Sequence, residues 1–399
     1  MKKKRVLVIN LGWEQEPLLD ELSSRDCELF GIHYDESYYK NPSYAEVIQA
    51  EIRDLEKITA FARKISADAV ISDQCDYSYF AQAVVASQLN LAGPSVLQAQ
   101  IATNKYFQRL AAKEHGLHIP DFQLCKSLDD AAVFAAKNGY PIILKPVDNR
   151  GSFGVNKVND AGELAWAYYE ALINSHSRCV LAEDFINGIH ITVDGYSFGP
   201  GNCRSLALAT KTLLGGKHQV AMDIRYPGDL PEAIYSQAMQ NNEQVNNALG
   251  FSFGMLHSEY MVTEAGIPYL IETANRGGGV YTSEIIVPEV SGFPLVSRYV
   301  DDCLGTAGPA SKLLDPQKKP VILKFFQLQP GRIKSIDGLQ NIAQLPEVLR
   351  LRLAVQPGDI IPEIKSDAHR HGFAIFKARE NPDAILSKIL SLLEVQYEK

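Results

Sequence analysis

Glu259 and Glu272 have the most informative spacing in this chain. Residues 254–262 alternate as a strand, and residues 269–273 read as its partner across Glu264-Ala265-Gly266. Successive side chains alternate across a sheet, so Met255, His257, Glu259 and Met261 face one way. With the turn centred between Ala265 and Gly266, Glu259 stands opposite Glu272, where Cβ atoms lie about 5 Å apart and like charges repel. Such a pair asks for a cation. Oxygen-only ligation suits Mg²⁺, which keeps several waters and completes its shell from a polyphosphate, with Mn²⁺ as an alternative. A surface hairpin with two solvated glutamates has the same spacing, so the neighbouring residues must decide. Lys145 closes the apolar run Pro141-Ile142-Ile143-Leu144-Lys145-Pro146, just before a loop that carries Gly151 and Gly154. Glycines there let backbone N–H groups approach phosphate oxygens, although the Walker spacing is absent. Arg276 and the run Gly277-Gly278-Gly279 add a cation and a backbone that is costly to order and able to approach an anion.

These residues need elements to hold them. Residues 5–10, 28–32 and 69–72 read as strands. Pro17 opens a helix through Leu18, Leu19 and Leu22, and Leu55, Ile58, Ala62 and Ile65 mark another. The β-α-β alternation implies a small parallel sheet that ends before Gly93-Pro94. Helices follow over about 104–114 and from Ser127, whose spacing to Asp130 fits a capping box. Residues 179–183, 190–196 and 206–210 read as strands, and Ile234, Ala238, Val245 and Leu249 mark a long amphipathic helix. Beyond it lie strands near 321–328 and 373–377, a turn at Pro357-Gly358-Asp359 and a closing helix from Pro382.

The 399 residues predict two or three domains with cores of their own. With 47 acidic against 39 basic residues the formal charge is −8, and no basic block follows a phosphate backbone, so nucleic acid is excluded as a partner. No apolar stretch reaches the roughly 18 residues of a membrane span. The basic start before Val6-Leu7-Val8-Ile9 reads as a first strand rather than a signal peptide. The six scattered cysteines lack metal or redox spacing and are expected to be reduced, in a cytoplasmic protein.

Taken in order, these motifs resemble the ATP-grasp superfamily, and more closely its carboxylate–amine ligases of the L-amino-acid ligase type, over roughly residues 100–305. The resemblance implies an α/β ATP-grasp fold. Its parts would be an N-terminal Rossmann-like (pre-ATP-grasp) domain at 1–95, a split α+β nucleotide-binding core at 96–308 and a small C-terminal α+β cap at 309–399. The N-terminal domain is not expected to bind a dinucleotide, because Gly12 stands without a G-x-G-x-x-G pattern. Asn104-Lys105 is similar to the first nucleotide lysine and Lys145 to the second, with Gly151, Ser152, Phe153 and Gly154 as the flap over the phosphates. The segment Leu181-Ala182-Glu183-Asp184-Phe185-Ile186 resembles the adenine hinge, with Glu183 accepting from the exocyclic amine and the backbone at Phe185 and Ile186 reading the ring edge.

The resemblance makes Glu259 and Glu272 metal ligands. Two departures stand out. His190 occupies the position of a ribose-binding glutamate, and Asn275 follows Glu272 one place later than the usual amide ligand. Lys211 resembles a lysine near the transferred phosphate, Arg276 would stabilise charge on the acyl phosphate, and His257 is the candidate base. His218 and Arg225 are weaker candidates for substrate contact, and Arg370 and His371 are read as surface residues. The implied cofactors are ATP and Mg²⁺, and the implied partners a small-molecule carboxylate and amine, with a homodimer admitted. The implied reaction is amide formation through an acyl phosphate. The rivals are a bicarbonate-using carboxylase or carbamoyl-phosphate-type enzyme and an ATP-binding scaffold without catalysis.

Overall fold

The computed structural model describes residues 3–38, 40–215, 220–308, 319–378 and 381–398. Its first sheet is parallel, ordered β3-β2-β1-β4, from β1 (Lys4–Ile9), β2 (Cys27–His33), β3 (Glu46–Gln49) and β4 (Ala69–Ile71). Val6 to Ile9 are fully buried, as a continuous apolar run in a strand covered on both faces should be. Helices α1 (Glu16–Ser24) and α2 (Leu55–Lys64) cover it. Pro17 sits in the first turn of α1, and the Asp54 side chain caps α2 by accepting from Lys57 N. Ile58, Phe61 and Ala62 of α2 are buried, and each large apolar side chain there is worth about 2 kcal/mol.

Helix α3 (Asp76–Leu89) has no counterpart in the sequence reading. It is buried on nearly all sides, at Tyr79, Ala81, Gln82, Ala83, Val85 and Ala86, so it shows no amphipathic stripe. Helix α4 (Val96–Ala102), also unforeseen, does carry a signal, a capping box between Ser95 and Gln98. Helix α5 (Lys105–Glu114) then begins at the Asn104 cap.

A second sheet, ordered β5-β8-β6-β7, contains β5 (Phe122–Cys125), β6 (Ile142–Pro146), β7 (Asn156–Val158) and β8 (Val180–Asp184), under α6 (Leu128–Asn138) and α7 (Ala161–Ile173). The Ser127–Asp130 capping box forms as expected.

The third sheet has eight strands, ordered β13-β12-β9-β10-β11-β14-β18-β16. They are β9 (Ile189–Ser197), β10 (Cys203–Leu213), β11 (Ala221–Tyr226), β12 (Gly254–Val262), β13 (Pro268–Ala274), β14 (Val321–Phe325), β16 (Val348–Leu353) and β18 (Gly372–Lys377), backed by α8 (Glu232–Ala248). Helices α9 (Val287–Ser291) and α10 (Leu295–Cys303) link its two parts. The C-terminal strands therefore extend the core sheet through the β11–β14 ladder. A small sheet of β15 (Gly331–Asp337), β17 (Ile360–Ile361) and β19 (Glu394–Tyr397), with α11 (Leu339–Ala343) and α12 (Pro382–Leu392), completes the end. All six cysteines are free, and no described helix is long and apolar enough to cross a membrane.

Candidate functional site

The β12–β13 hairpin does place Glu259 opposite Glu272, by a different route from the one expected. The pairs Tyr260–Leu270, Met261–Tyr269 and Val262–Pro268 centre the turn on Ala265, which alone would set Ile271 against Glu259. Ile271 is an extra residue, and this bulge restores the carboxylate pair. Glu259 receives Lys211 Nζ at 2.5 Å and His190 Nε2 at 3.1 Å, and Glu272 receives Lys105 Nζ at 2.7 Å. Burial would raise the pKa of Glu259, but Lys211, His190 and His257 hold it well below the carboxylate range.

Cross-strand register puts one continuous face of the large sheet on display. From Glu272 it runs through Glu259 and His257 on β12, Thr192 and Asp194 on β9 and Lys211 on β10. It continues through Ile224 on β11, Leu323 and Phe325 on β14, Phe373 on β18 and Arg352 on β16. The face grades from charged to apolar, and it floors a cleft of about 580 Å³. Trp13, which follows β1, packs at 5.7 Å from Phe373 and 5.3 Å from Tyr281 above the apolar part.

The loop after β6 forms another wall, with Arg150, Gly151, Ser152 and Phe153 lining the cleft. Gly151 and Ser152 have left-handed backbone at φ 63° and 59°. Gly154 does not line the cleft; it lies where a Cβ would press on Asn174 and Pro146. Lys105, at the start of α5, also donates to Asn149 O at 2.7 Å, which ties it to this loop. Lys145 is buried, 2.6 Å from Glu183, and burial pulls its pKa down to about 8 despite that partner. Arg109 Nε stands 2.7 Å from the other oxygen of Glu183. Glu183 is thus in an ion cluster with Lys145 and Arg109. Asp184 accepts from Asn138 at 2.8 Å, Lys157 Nζ lies 3.9 Å over the Phe185 ring, and none of Glu183, Asp184, Phe185 and Ile186 lines the cleft.

Arg276 lines the cleft and is held by Asp76, with Nε 2.8 Å from Oδ1, while its Nη1 donates to Gly277 O. Burial alone would lower its pKa, and Asp76 more than reverses that. The glycine run has a steric cause at two positions. A Cβ on Gly277 would collide with Asp73 Oδ1, and one on Gly278 would stand 2.7 Å from His257 Nδ1. A Cβ on Gly279 would meet only Glu14 Oε1, at 4.0 Å, so this glycine has no steric cause.

Asn275, expected only as a possible metal ligand, has its side chain engaged in hydrogen bonds. It is fully buried, its amide donates to Phe253 O and Met255 O at 2.8 Å each, and its Oδ1 accepts from Tyr79 at 2.6 Å. His257 reaches the cleft, where burial disfavours its charged form but Asp194 at 2.7 Å, itself bonded by Tyr226, outweighs that and raises its pKa. Arg370 and His371 are interior. Arg370 lines the cleft, and His371 accepts from Leu328 N at 2.9 Å and faces Pro362 O at 3.0 Å. His190 stands beside Glu259, and Arg225 pairs with Asp223 at 2.9 Å, away from the cleft lining. His218 lies outside the described residues.

The sequence reading missed Glu14, Asp76, Arg150, Arg352 and Asp367. Glu14 follows β1 and Asp76 follows β4, and these two strands meet where the parallel sheet changes direction. A crevice at the carboxyl ends of strands at such a switch point is a rule that could have found both. Burial raises the pKa of Glu14, against the pull of Arg150 and Arg276.

The donor set suits a divalent cation that brings most of its own ligands. Two carboxylates face each other, and no group of three or more His, Cys, Asp or Glu side chains is placed to hold a metal among the described residues.

Residues 138–284 match the ATP-grasp domain model, and residues 324–398 match the model for L-amino acid ligase C-terminal domain 2. D-alanine–D-alanine ligase B of Chromobacterium violaceum is 30% identical over 214 residues, covering 53% of this chain and 69% of that one. D-alanine–D-alanine ligase of Laribacter hongkongensis is 32% identical over 196 residues, covering 49% and 62%. The chain spans 62–64% of the length of the first curated relatives it matches. The crystal structure of an L-amino acid ligase from Bacillus licheniformis superposes with a TM-score of 0.85 at 22% identity over 100% of both chains.

Proposed function

Because the chain belongs to the ATP-grasp superfamily, among its carboxylate–amine ligases, we propose that it joins a small carboxylic acid to an amine at the cost of ATP. The acid and amine are read as amino acids or similar small molecules. The observation that carries this reading is the carboxylate pair Glu259 and Glu272, each bridged to a lysine, in a cleft that also holds Arg276.

In the first step the substrate carboxylate oxygen bonds to the γ-phosphorus while the bond from phosphorus to ADP breaks, and the electron pair leaves with ADP. In the second the amine nitrogen bonds to the acyl carbon, the carbon–oxygen bond to phosphate breaks, and the amine proton passes to solvent or a base. Glu259 and Glu272 would hold Mg²⁺ or Mn²⁺, which neutralises phosphate charge when bound. Lys105 and Lys145 bind phosphate oxygens, and the 150–153 loop excludes water from them. Arg276, oriented by Asp76, stabilises charge on the acyl phosphate. His257, backed by Asp194, is the candidate base for the amine proton. The three-part division at 1–95, 96–308 and 309–399 belongs to the same reading, and the free thiols support a reducing, cytoplasmic setting.

The test is a screen of amino-acid pairs for ADP release, with hydroxylamine in place of the amine to trap a hydroxamate. ADP and hydroxamate that depend on the acid support the ligase. AMP and pyrophosphate would sink it, bicarbonate-dependent ADP release would favour a carboxylase, and MgATP binding without turnover would favour a scaffold.

A further inference from the structure

Lys105, Lys211 and Arg276 are each hydrogen-bonded to a carboxylate. Arg370 lines the cleft on different terms. Its Nη2 stands 2.7 Å from Asp367 Oδ1, but the two are not aligned as a hydrogen bond, and Arg370 Nε and Asp367 Oδ1 are both buried without a hydrogen-bond partner among the described residues. The side chain is 12% exposed, and its guanidinium lies 3.8 Å from the centre of the Phe325 ring. Burial pulls its pKa down, against Asp367 and Glu259. A guanidinium N–H that has lost water and gained no aligned acceptor destabilises the site, and an arriving anion relieves that cost.

Position identifies the anion. Asp367 N donates to Gly151 O at 3.3 Å, and the Phe153 and His369 rings lie 6.5 Å apart, so the segment that carries Arg370 is fastened to the loop assigned to the phosphates. Glu259, at the carboxylate end of the cleft, is the other acid whose field reaches Arg370. Resting on the ligase reading, we propose that Arg370 is a catalytic residue whose guanidinium binds the oxygens of the phosphoryl group in transit from ATP to the substrate carboxylate. In that step the oxygen–phosphorus bond to the carboxylate forms as the bond to ADP breaks, and no proton moves. A planar guanidinium suits the spread charge of that group better than a point cation.

The test uses the full chain with Arg370→Gln and Arg370→Lys. Kinetics follow ADP release, and melting-temperature shifts are read with MgADP alone and with MgADP plus aluminium fluoride, a mimic of the transferring phosphoryl group. Arg370→Gln lowers kcat about 100-fold while the KM for ATP changes by less than about threefold, and Arg370→Lys recovers part of the loss. Fluoride adds stabilisation to the parent protein and not to Arg370→Gln, whereas both keep the shift with MgADP alone. Unchanged kcat, loss of the MgADP shift as well, or a parent protein to which fluoride adds nothing would overturn the assignment. If no acid and amine pair reacts, the ligase reading falls, and the fluoride-dependent shift still decides whether Arg370 binds a phosphoryl group. Should Arg370→Gln not fold, Arg370→Lys carries the same comparison, with the fluoride increment reduced.

Discussion

The cations in and beneath the cleft are stored against acids: Lys211 and Arg276, which line it, on Glu259 and Asp76, and Lys105 and Lys145, which do not, on Glu272 and Glu183. An uncompensated buried charge costs several kcal/mol, so each pair holds both members in place; on the proposed function, phosphate oxygens and a cation would take over these partners. Glu272→Gln should leave the fold intact by circular dichroism and lower turnover at least about 100-fold, and near-normal turnover would remove Glu272 from the site. Lys145 sets a pH dependence. Its charge is present below about 8 and lost above, so kcat/KM for ATP should fall by up to about tenfold per pH unit beyond that point. Lys145→Arg should move the fall to higher pH. Between about 8 and the ordinary lysine value the unfolded chain holds a proton that the folded chain has lost, so the lysine's contribution to stability rises with pH across the same window.

At the scale of elements, alternation put Glu259 and Glu272 on a hairpin, but the expected turn centre was half a residue off, and the Ile271 bulge, outside any periodicity rule, restores the pair. The capping box at Ser127 was legible because it depends on residues three apart. Helix α3 was not, because a helix buried on all sides has no polar face to reveal its period. Asn275 shows the limit of reading a ligand from its place after Glu272. Its three hydrogen bonds tie β13 to the backbone at Phe253 and Met255 and to Tyr79 of α3. Asn275→Ala should therefore cost about 2–4 kcal/mol in urea unfolding, by leaving buried groups unpaired, while the metal dependence of turnover stays as in the parent protein. A shifted metal dependence without loss of stability would return Asn275 to the ligand set.

The whole molecule is joined more closely than its proposed three-part division suggests. β14 and β18 extend the sheet beyond β11, and Leu323, Phe325 and Phe373 complete the cleft floor. A chain ended at residue 308 would leave the β11 edge and an apolar sheet face uncovered. It should be recovered mainly as aggregate, and a soluble, monodisperse product that binds MgATP would show that the C-terminal part is dispensable to the fold. The formal charge of −8 coexists with a cleft that gathers Arg150, Lys211, Arg276, Arg352 and Arg370.

By itself the sequence determined most of the main elements, the β12–β13 hairpin that carries Glu259 and Glu272, and the superfamily, since each rests on residue types at short separations. Only the tertiary structure decided which charges meet. Asp76 and Arg276 are 200 residues apart, and Arg370 enters the cleft because β18 lies beside β14 in the sheet. The same packing spent Asn275 on hydrogen bonds and gave His257 an acid behind it. Local periodicity reports which way a side chain points, whereas its partner depends on the order in which distant strands assemble, and that order has no local signature.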